Sequence, residues 1–143
     1  MRTVSVYFDA SVIVPMFVED VFNDRIDAYV ERFAPIPTVS DFAMAEVASV
    51  LNLRVRSRLL SAGKARQALD ELDIWRAQTV TACQVDRADI AAAEALLRRL
   101  NLPLRAPDAI HLAAAQRLGL ELATFDLRMA DCARSLGVKV AAA

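Results

Sequence analysis

The sequence predicts an α/β protein of three layers, a central parallel sheet of four or five strands with helices on both faces. Two observations carry that expectation. Short runs rich in β-branched and aromatic residues alternate along the chain with longer stretches whose apolar residues recur at helical spacing, and strands that alternate with helices pair in parallel. The first run, residues 4–8, is apolar enough for a strand buried on both faces, and it ends on an acid, Asp9. In an open α/β sheet ligands bind outside the carboxyl ends of the strands, so that acid stands where chemistry is done.

After Asp9, Ser11 is an N-cap for a helix through residue 18, with Pro15 in its first turn, where a missing amide donor costs least. Asp20 caps the next helix, in which Ile26, Tyr29, Val30 and Phe33 share a face, and Pro35 and Pro37 end it. Residues 36–39 form a second strand. Ser40 or Asp41 then caps a long helix to about residue 58. Ser61 and Gly63 punctuate before residues 64–78, whose stripe runs through Ala68, Leu72 and Trp75. A third strand covers residues 79–83, and Asp86 caps a helix to residue 100. Pro107 takes the first position of a helix that Gly119 closes, the usual placement of those residue types. Residues 121–125 form a fourth strand ending at Asp126. A short helix to residue 136 follows, Gly137 closes it, and residues 138–140 are an edge strand.

The 143 residues contain no linker-like stretch, so one domain spanning 1–143 is expected. No run reaches the roughly 18 apolar residues of a membrane span, and Asp9 interrupts any signal-peptide core, which points to the cytoplasm. Apolar residues make up 56% of the chain, more than one small domain needs to cover its sheet, so a partner or a homodimer is expected. Cys83 and Cys132 are the two cysteines and form no CxxC pair, so neither zinc nor a disulfide framework is implied. A net charge of -1 denies the chain the global basic field of a general nucleic-acid binder. Any nucleic acid must be held locally.

Four acids stand where packing does not explain them. Asp9 and Asp126 follow directly on apolar strands, which puts both at one edge of a parallel sheet. Glu46 has Phe42 one turn before it and Val50 one turn after, so it interrupts a core-facing stripe. Asp108 opens a helix, residues 109–115, that is apolar nearly all round. Taken singly, Asp9 and Asp126 read as turn or cap residues and Asp108 as a first-turn acid favoured by the helix dipole. Taken together, and with Glu46 lacking a structural task, they read as a site, because acids are seldom buried unless paired or metal-bound.

Phe8-Asp9-Ala10-Ser11, Ala45-Glu46-Val47, Pro107-Asp108-Ala109-Ile110-His111-Leu112-Ala113 and Ala123-Thr124-Phe125-Asp126 resemble, in order and spacing, the four acidic motifs of PIN domains. The short length makes them most similar to the VapC toxins of bacterial type II toxin-antitoxin pairs. The resemblance runs from about residue 4 to 138. It implies a PIN-like fold and a metal-dependent endoribonuclease, with Asp9, Glu46, Asp108 and Asp126 as metal-binding acids, Ser11 and Thr124 as polar neighbours, RNA as substrate, a VapB-like antitoxin as partner, and a homodimer. Ala10 departs from the pattern, since many relatives carry a hydroxyl residue there.

Clustered carboxylates are hard oxygen ligands and select Mg²⁺ or Mn²⁺. One or two such ions activate a water for attack on a phosphodiester without a protein general base. His111 stays outside this reading as a satisfied core histidine. Arg54, Arg56, Arg58, Lys64 and Arg66, and Arg98, Arg99 and Arg105, either hold RNA phosphates or are solvated helix faces. Trp75 is core, or part of an antitoxin groove. Three rival readings are a receiver-like phosphate-accepting module, a haloacid-dehalogenase-like phosphatase and a catalytically silent PIN-fold scaffold. Lys139 lies at the wrong end of its segment for the first, Ser11 occupies the place of the second acid the phosphatase needs, and all four acids are superfluous in the scaffold.

Overall fold

The computed structural model describes residues 3–141. Four parallel strands form one sheet in the order β3-β2-β1-β4, with β1 at Ser5–Phe8, β2 at Ile36–Ser40, β3 at Thr81–Cys83 and β4 at Glu121–Ala123. Seven helices connect and cover them: α1 (Ala10–Phe17), α2 (Asn23–Phe33), α3 (Asp41–Arg56), α4 (Ala62–Gln78), α5 (Arg87–Leu97), α6 (Ala106–Leu118) and α7 (Leu127–Ser135). The expected edge strand at 138–140 is only a single parallel bridge between Leu122 and Val140.

Alternation along β1 makes the three layers. Val6 and Phe8 point to one face and pack with Val12, Ile13, Val47 and Leu72 from α1, α3 and α4. Tyr7 points to the other and packs with Leu112, Leu122, Met129 and Ala133. Every second side chain of a strand lies on the same face, so one short strand feeds two cores. None of the three is more than 1% exposed, and full burial of a large apolar side chain contributes about 1.5–3 kcal/mol. Helix α5 lies outside this layer, packed on α6.

Pro37 sits in β2, which has neighbours on both sides, but β3 pairs only from Thr38 onward. The missing donor of Pro37 therefore faces no ladder on that side. Pro15, expected in a first turn, lies inside α1 instead. Asn23 Nδ2 donates to the Pro15 and Val18 carbonyls at 2.7 and 2.9 Å, satisfying acceptors at the end of that helix.

Several boundaries fall short of the expected ones. The cap of α1 is Asp9, not Ser11, and α2 has no side-chain cap, since Asp20 lies before the Phe22 cap position. Asp20 instead accepts from the Phe22 amide and pairs with Arg54. Helix α3 ends at Arg56 and α5 at Leu97, followed by left-handed Arg58 and Leu100. Strand β3 begins at Thr81, because Thr79 caps the end of α4. Pro107 is the second residue of α6, after Ala106. Gly119 closes that helix at φ 65°, as expected.

Candidate active site

Strands β1 and β4 are parallel neighbours, so their carboxyl ends lie side by side and the Asp9 amide donates to the Ala123 carbonyl at 3.2 Å. Asp9 Oδ1 accepts from the Ser11 amide at 3.0 Å and the Ser11 hydroxyl at 2.6 Å. Ser11 Oγ lies 3.3 Å from Thr124 Oγ1 and accepts from the Phe125 amide at 2.9 Å. Thr124 Oγ1 accepts from the Asp126 amide at 3.1 Å, while Asp126 Oδ1 caps α7 by accepting from the amides of Arg128 and Met129. Two hydroxyls thus join the turns that carry two acids. Burial pushes the Asp9 carboxyl above its ordinary pKa, and the Ser11 and Thr124 hydroxyls only partly oppose the shift.

Glu46 and Asp108 arrive from helices. The buried stripe of α3 is Ala43, Val47 and Leu51. Glu46 therefore flanks that stripe rather than interrupting it, with its side chain 27% exposed. It projects from the edge of α3 to His111 of α6. Asp108 is half-buried in the first turn of α6, where its Oδ2 accepts from the Arg105 amide at 3.4 Å. Its carboxyl is pushed up, first by burial and then by the negative charges of Asp126 and Glu46, against the pull of the Arg105 amide and His111.

The donor chemistry fits a hard divalent cation. All four predicted ligands offer carboxylate oxygens. The basic partners that neutralise other acids, Arg54 for Asp20 and Arg117 for Asp89, have no counterpart at Asp9 or Asp108 among the described residues. Among the described residues no three of His, Cys, Asp and Glu form a ready-made metal-holding group.

Two residues at the site were not singled out by sequence as part of it. His111 is 2% exposed, as a core histidine should be, but its Nε2 meets Glu46 Oε1 and its Nδ1 lies 2.6 Å from the Tyr7 hydroxyl. The signal available was a hydroxyl-bearing residue inside an apolar strand and a lone histidine inside an apolar helix. Of the basic residues proposed for RNA, Arg54 is bound to Asp20 at 2.7 Å and Arg98 to Glu94 at 2.7 Å. Arg99 and Arg105 are exposed, and the Arg105 amide bonds Asp108.

The PIN domain family model matches residues 6–135. The chain belongs to the PIN-domain family. It is 38% identical over 142 residues, 96% of this chain and 97% of the relative, to Ribonuclease VapC46 of Mycobacterium tuberculosis. Among solved structures, the sarcin-ricin loop cleaving toxin VapC20 of the same organism superposes with a TM-score of 0.73 at 18% identity, covering 90% of this chain and 95% of that one. A toxin-antitoxin complex from Klebsiella pneumoniae gives 0.64 at 23% identity over 88% of this chain and 90% of that one. These likenesses show the fold. Membership in the PIN-domain family removes the receiver-like and phosphatase readings.

Proposed function

We propose that this PIN-domain chain is a Mg²⁺- or Mn²⁺-dependent endoribonuclease and the toxin of a type II toxin-antitoxin pair. The observation that carries the reading is the pair of hydroxyls, Ser11 and Thr124, that joins the turns of Asp9 and Asp126 at the carboxyl ends of β1 and β4. Asp9, Glu46, Asp108 and Asp126 would hold the cation. A divalent ion supplies Lewis acidity, which activates water and stabilises charge on the phosphodiester. The chain's own groups then have simple tasks. Ser11 and Thr124 fix the Asp9 carboxylate and the Asp126 turn, and Arg99 and Arg105 bind backbone phosphates flanking the cut. No side chain needs to act as general base.

The antitoxin would lie on the α1, α3 and α4 side. A cavity of about 630 Å³ there is lined by Phe17, Val18, Arg54, Leu59, Lys64 and Ala68, among others, and a smaller one of about 220 Å³ lies between α3 and α4. Trp75 is half-buried, its ring 6.4 Å from Phe8 and 5.4 Å from Phe17, so it supports this side from beneath. We further propose that residues 1–143 act as one domain, that the protein is a homodimer, and that it works in the cytoplasm. No helix of the described residues is long and apolar enough to cross a membrane. The test is direct: the purified chain should cleave RNA with added Mg²⁺ or Mn²⁺ and stop on chelation. Cleavage that persists in chelator would reject the metal reading.

A further inference from the structure

Three of the elements that carry the acids also carry a second set of polar groups, buried behind them. Tyr7 stands two residues before Asp9 on β1, Ser40 caps α3, which bears Glu46, and His111 lies one turn beyond Asp108 on α6. Tyr7 is 0% exposed, Ser40 0% and His111 2%. Polar groups so deep cost free energy unless each is bonded, and here they bond to one another. The Tyr7 hydroxyl donates to Ser40 Oγ at 3.2 Å and meets His111 Nδ1 at 2.6 Å, while Ser40 Oγ accepts from the Ala43 amide at 3.0 Å. The last link is His111 Nε2 to Glu46 Oε1. The Tyr7 ring stands edge-on to the imidazole at 5.6 Å and the Phe42 ring lies 5.3 Å from it, so packing fixes the ring where hydrogen bonds aim it.

Both ring nitrogens of His111 are occupied by protein groups, which leaves it no nitrogen to offer a cation. We infer that the Tyr7–His111 pair is a positioning device for Glu46: it fixes the carboxylate through Oε1, so that Glu46 would be held in place as a ligand for the divalent cation of the acidic site. The inference rests on the metal-dependent reading above and adds two residues to it. A partner that fixes a ligating carboxylate from behind tunes metal affinity without touching the metal, typically by about 10–100-fold.

The experiment is Mn²⁺ titration of the purified protein without RNA, read by electron paramagnetic resonance, on wild type, Tyr7→Phe, His111→Gln and the double variant. Tyr7→Phe keeps the ring and its volume, so it reports on the hydroxyl even if His111→Gln folds poorly. His111→Gln is expected to weaken Mn²⁺ binding by about tenfold or more, and Tyr7→Phe to weaken it in the same direction by less. The double variant should resemble His111→Gln alone, because groups in one chain of bonds do not add. RNA cleavage by the variants should recover at high metal concentration. Wild-type affinity for Mn²⁺ in both single variants, with only the thermal midpoint lowered, would overturn the inference and leave the metal site standing. A wild-type protein that binds no Mn²⁺ would overturn the metal reading itself, and this inference with it.

Discussion

A carboxylate as buried as Asp9, with no ion-pair partner among the described residues, stands in a different balance from one on the surface. Its folded pKa is raised by burial. The folded protein therefore holds the proton over the window between the unfolded value, near 3.9, and the higher folded one. In that window the native state binds more protons than the unfolded state, so metal-free stability falls as pH rises through it and stays lower above. Asp108 adds to the same trend. Asp9→Asn keeps an acceptor for Ser11 and a good helix cap while removing the charge. Its metal-free form should melt at or above the wild-type midpoint at pH 7 and show a flatter pH dependence, measured by calorimetry in chelator. Its RNA cleavage should fall by about 100-fold or more, the scale on which loss of one group stabilising transition-state charge acts. Retained metal-dependent cleavage would remove Asp9 from the site. The positions of Asp9 and Asp126 were legible because each ends an apolar strand, and a parallel sheet brings such ends together. The links behind them were not: Tyr7 and His111 are 104 residues apart, and no local pattern announces a contact that only the folded sheet creates.

Between residues and the whole lie the caps and clamps that hold each element in place. Asp126 caps α7 and is also a proposed metal-binding acid, and two substitutions separate these roles. Asp126→Asn keeps the cap and should lose cleavage with little change in stability. Asp126→Ala should lose both, with about 1 kcal/mol less stability by urea denaturation. On the outer layer, Arg117 of α6 grips Asp89 of α5 through two bonds of 2.8 and 3.0 Å and reaches the Gln84 carbonyl at 3.0 Å. Burial would push the Asp89 carboxyl up, but the guanidinium outweighs it and holds the pKa below the ordinary range. A depressed folded pKa gives stability that is present above the unfolded value and lost as pH falls through the folded one. Arg117→Met should therefore lower stability at neutral pH by leaving the buried Asp89 without its guanidinium partner, and the deficit should close as pH is lowered toward and below about 4. An equal deficit at pH 7 and pH 3 would count against the clamp. Element order was readable from alternation and caps, and element ends less so. Arg58 and Leu100 adopt left-handed backbone without being glycine, so nothing in their identity marked the end of α3 or α5. Thr124 and Phe125 look like strand, but the Thr124 hydroxyl bonds the Asp126 amide and Phe125 bonds Ser11, which takes them out of β4.

At the scale of the whole molecule, the proposed catalytic edge and the proposed antitoxin groove are lined by different residues, and separate surfaces can be damaged independently. Asp9 and Asp126 lie where β1 and β4 end, whereas the larger cavity opens over α1, α3 and α4 around Leu59, which is 78% exposed. An exposed leucine rimming a groove is costly for a free protein and useful for a bound one. A flexible antitoxin tail that folds on binding would anchor its apolar groups there, and two copies of the chain would pair elsewhere to give a dimer in light scattering at micromolar concentration. A monomer would count against the pairing. The decisive prediction uses cells. Expression of the chain alone should arrest growth, Asp108→Asn should not, and co-expression with a small neighbouring DNA-binding antitoxin gene should restore growth and yield a stable complex. Leu59→Glu then separates the two surfaces. It should leave RNA cleavage by the isolated chain unchanged, because Leu59 is no part of the acid cluster, yet weaken the antitoxin complex by about tenfold or more, the loss expected when an apolar anchor worth over 1 kcal/mol is removed. Growth arrest by Leu59→Glu that the antitoxin no longer relieves would place the partner on this groove. Full relief at wild-type affinity would move the partner to another face, and a harmless wild-type chain that cleaves no RNA in Mg²⁺ or Mn²⁺ would return the protein to the silent scaffold.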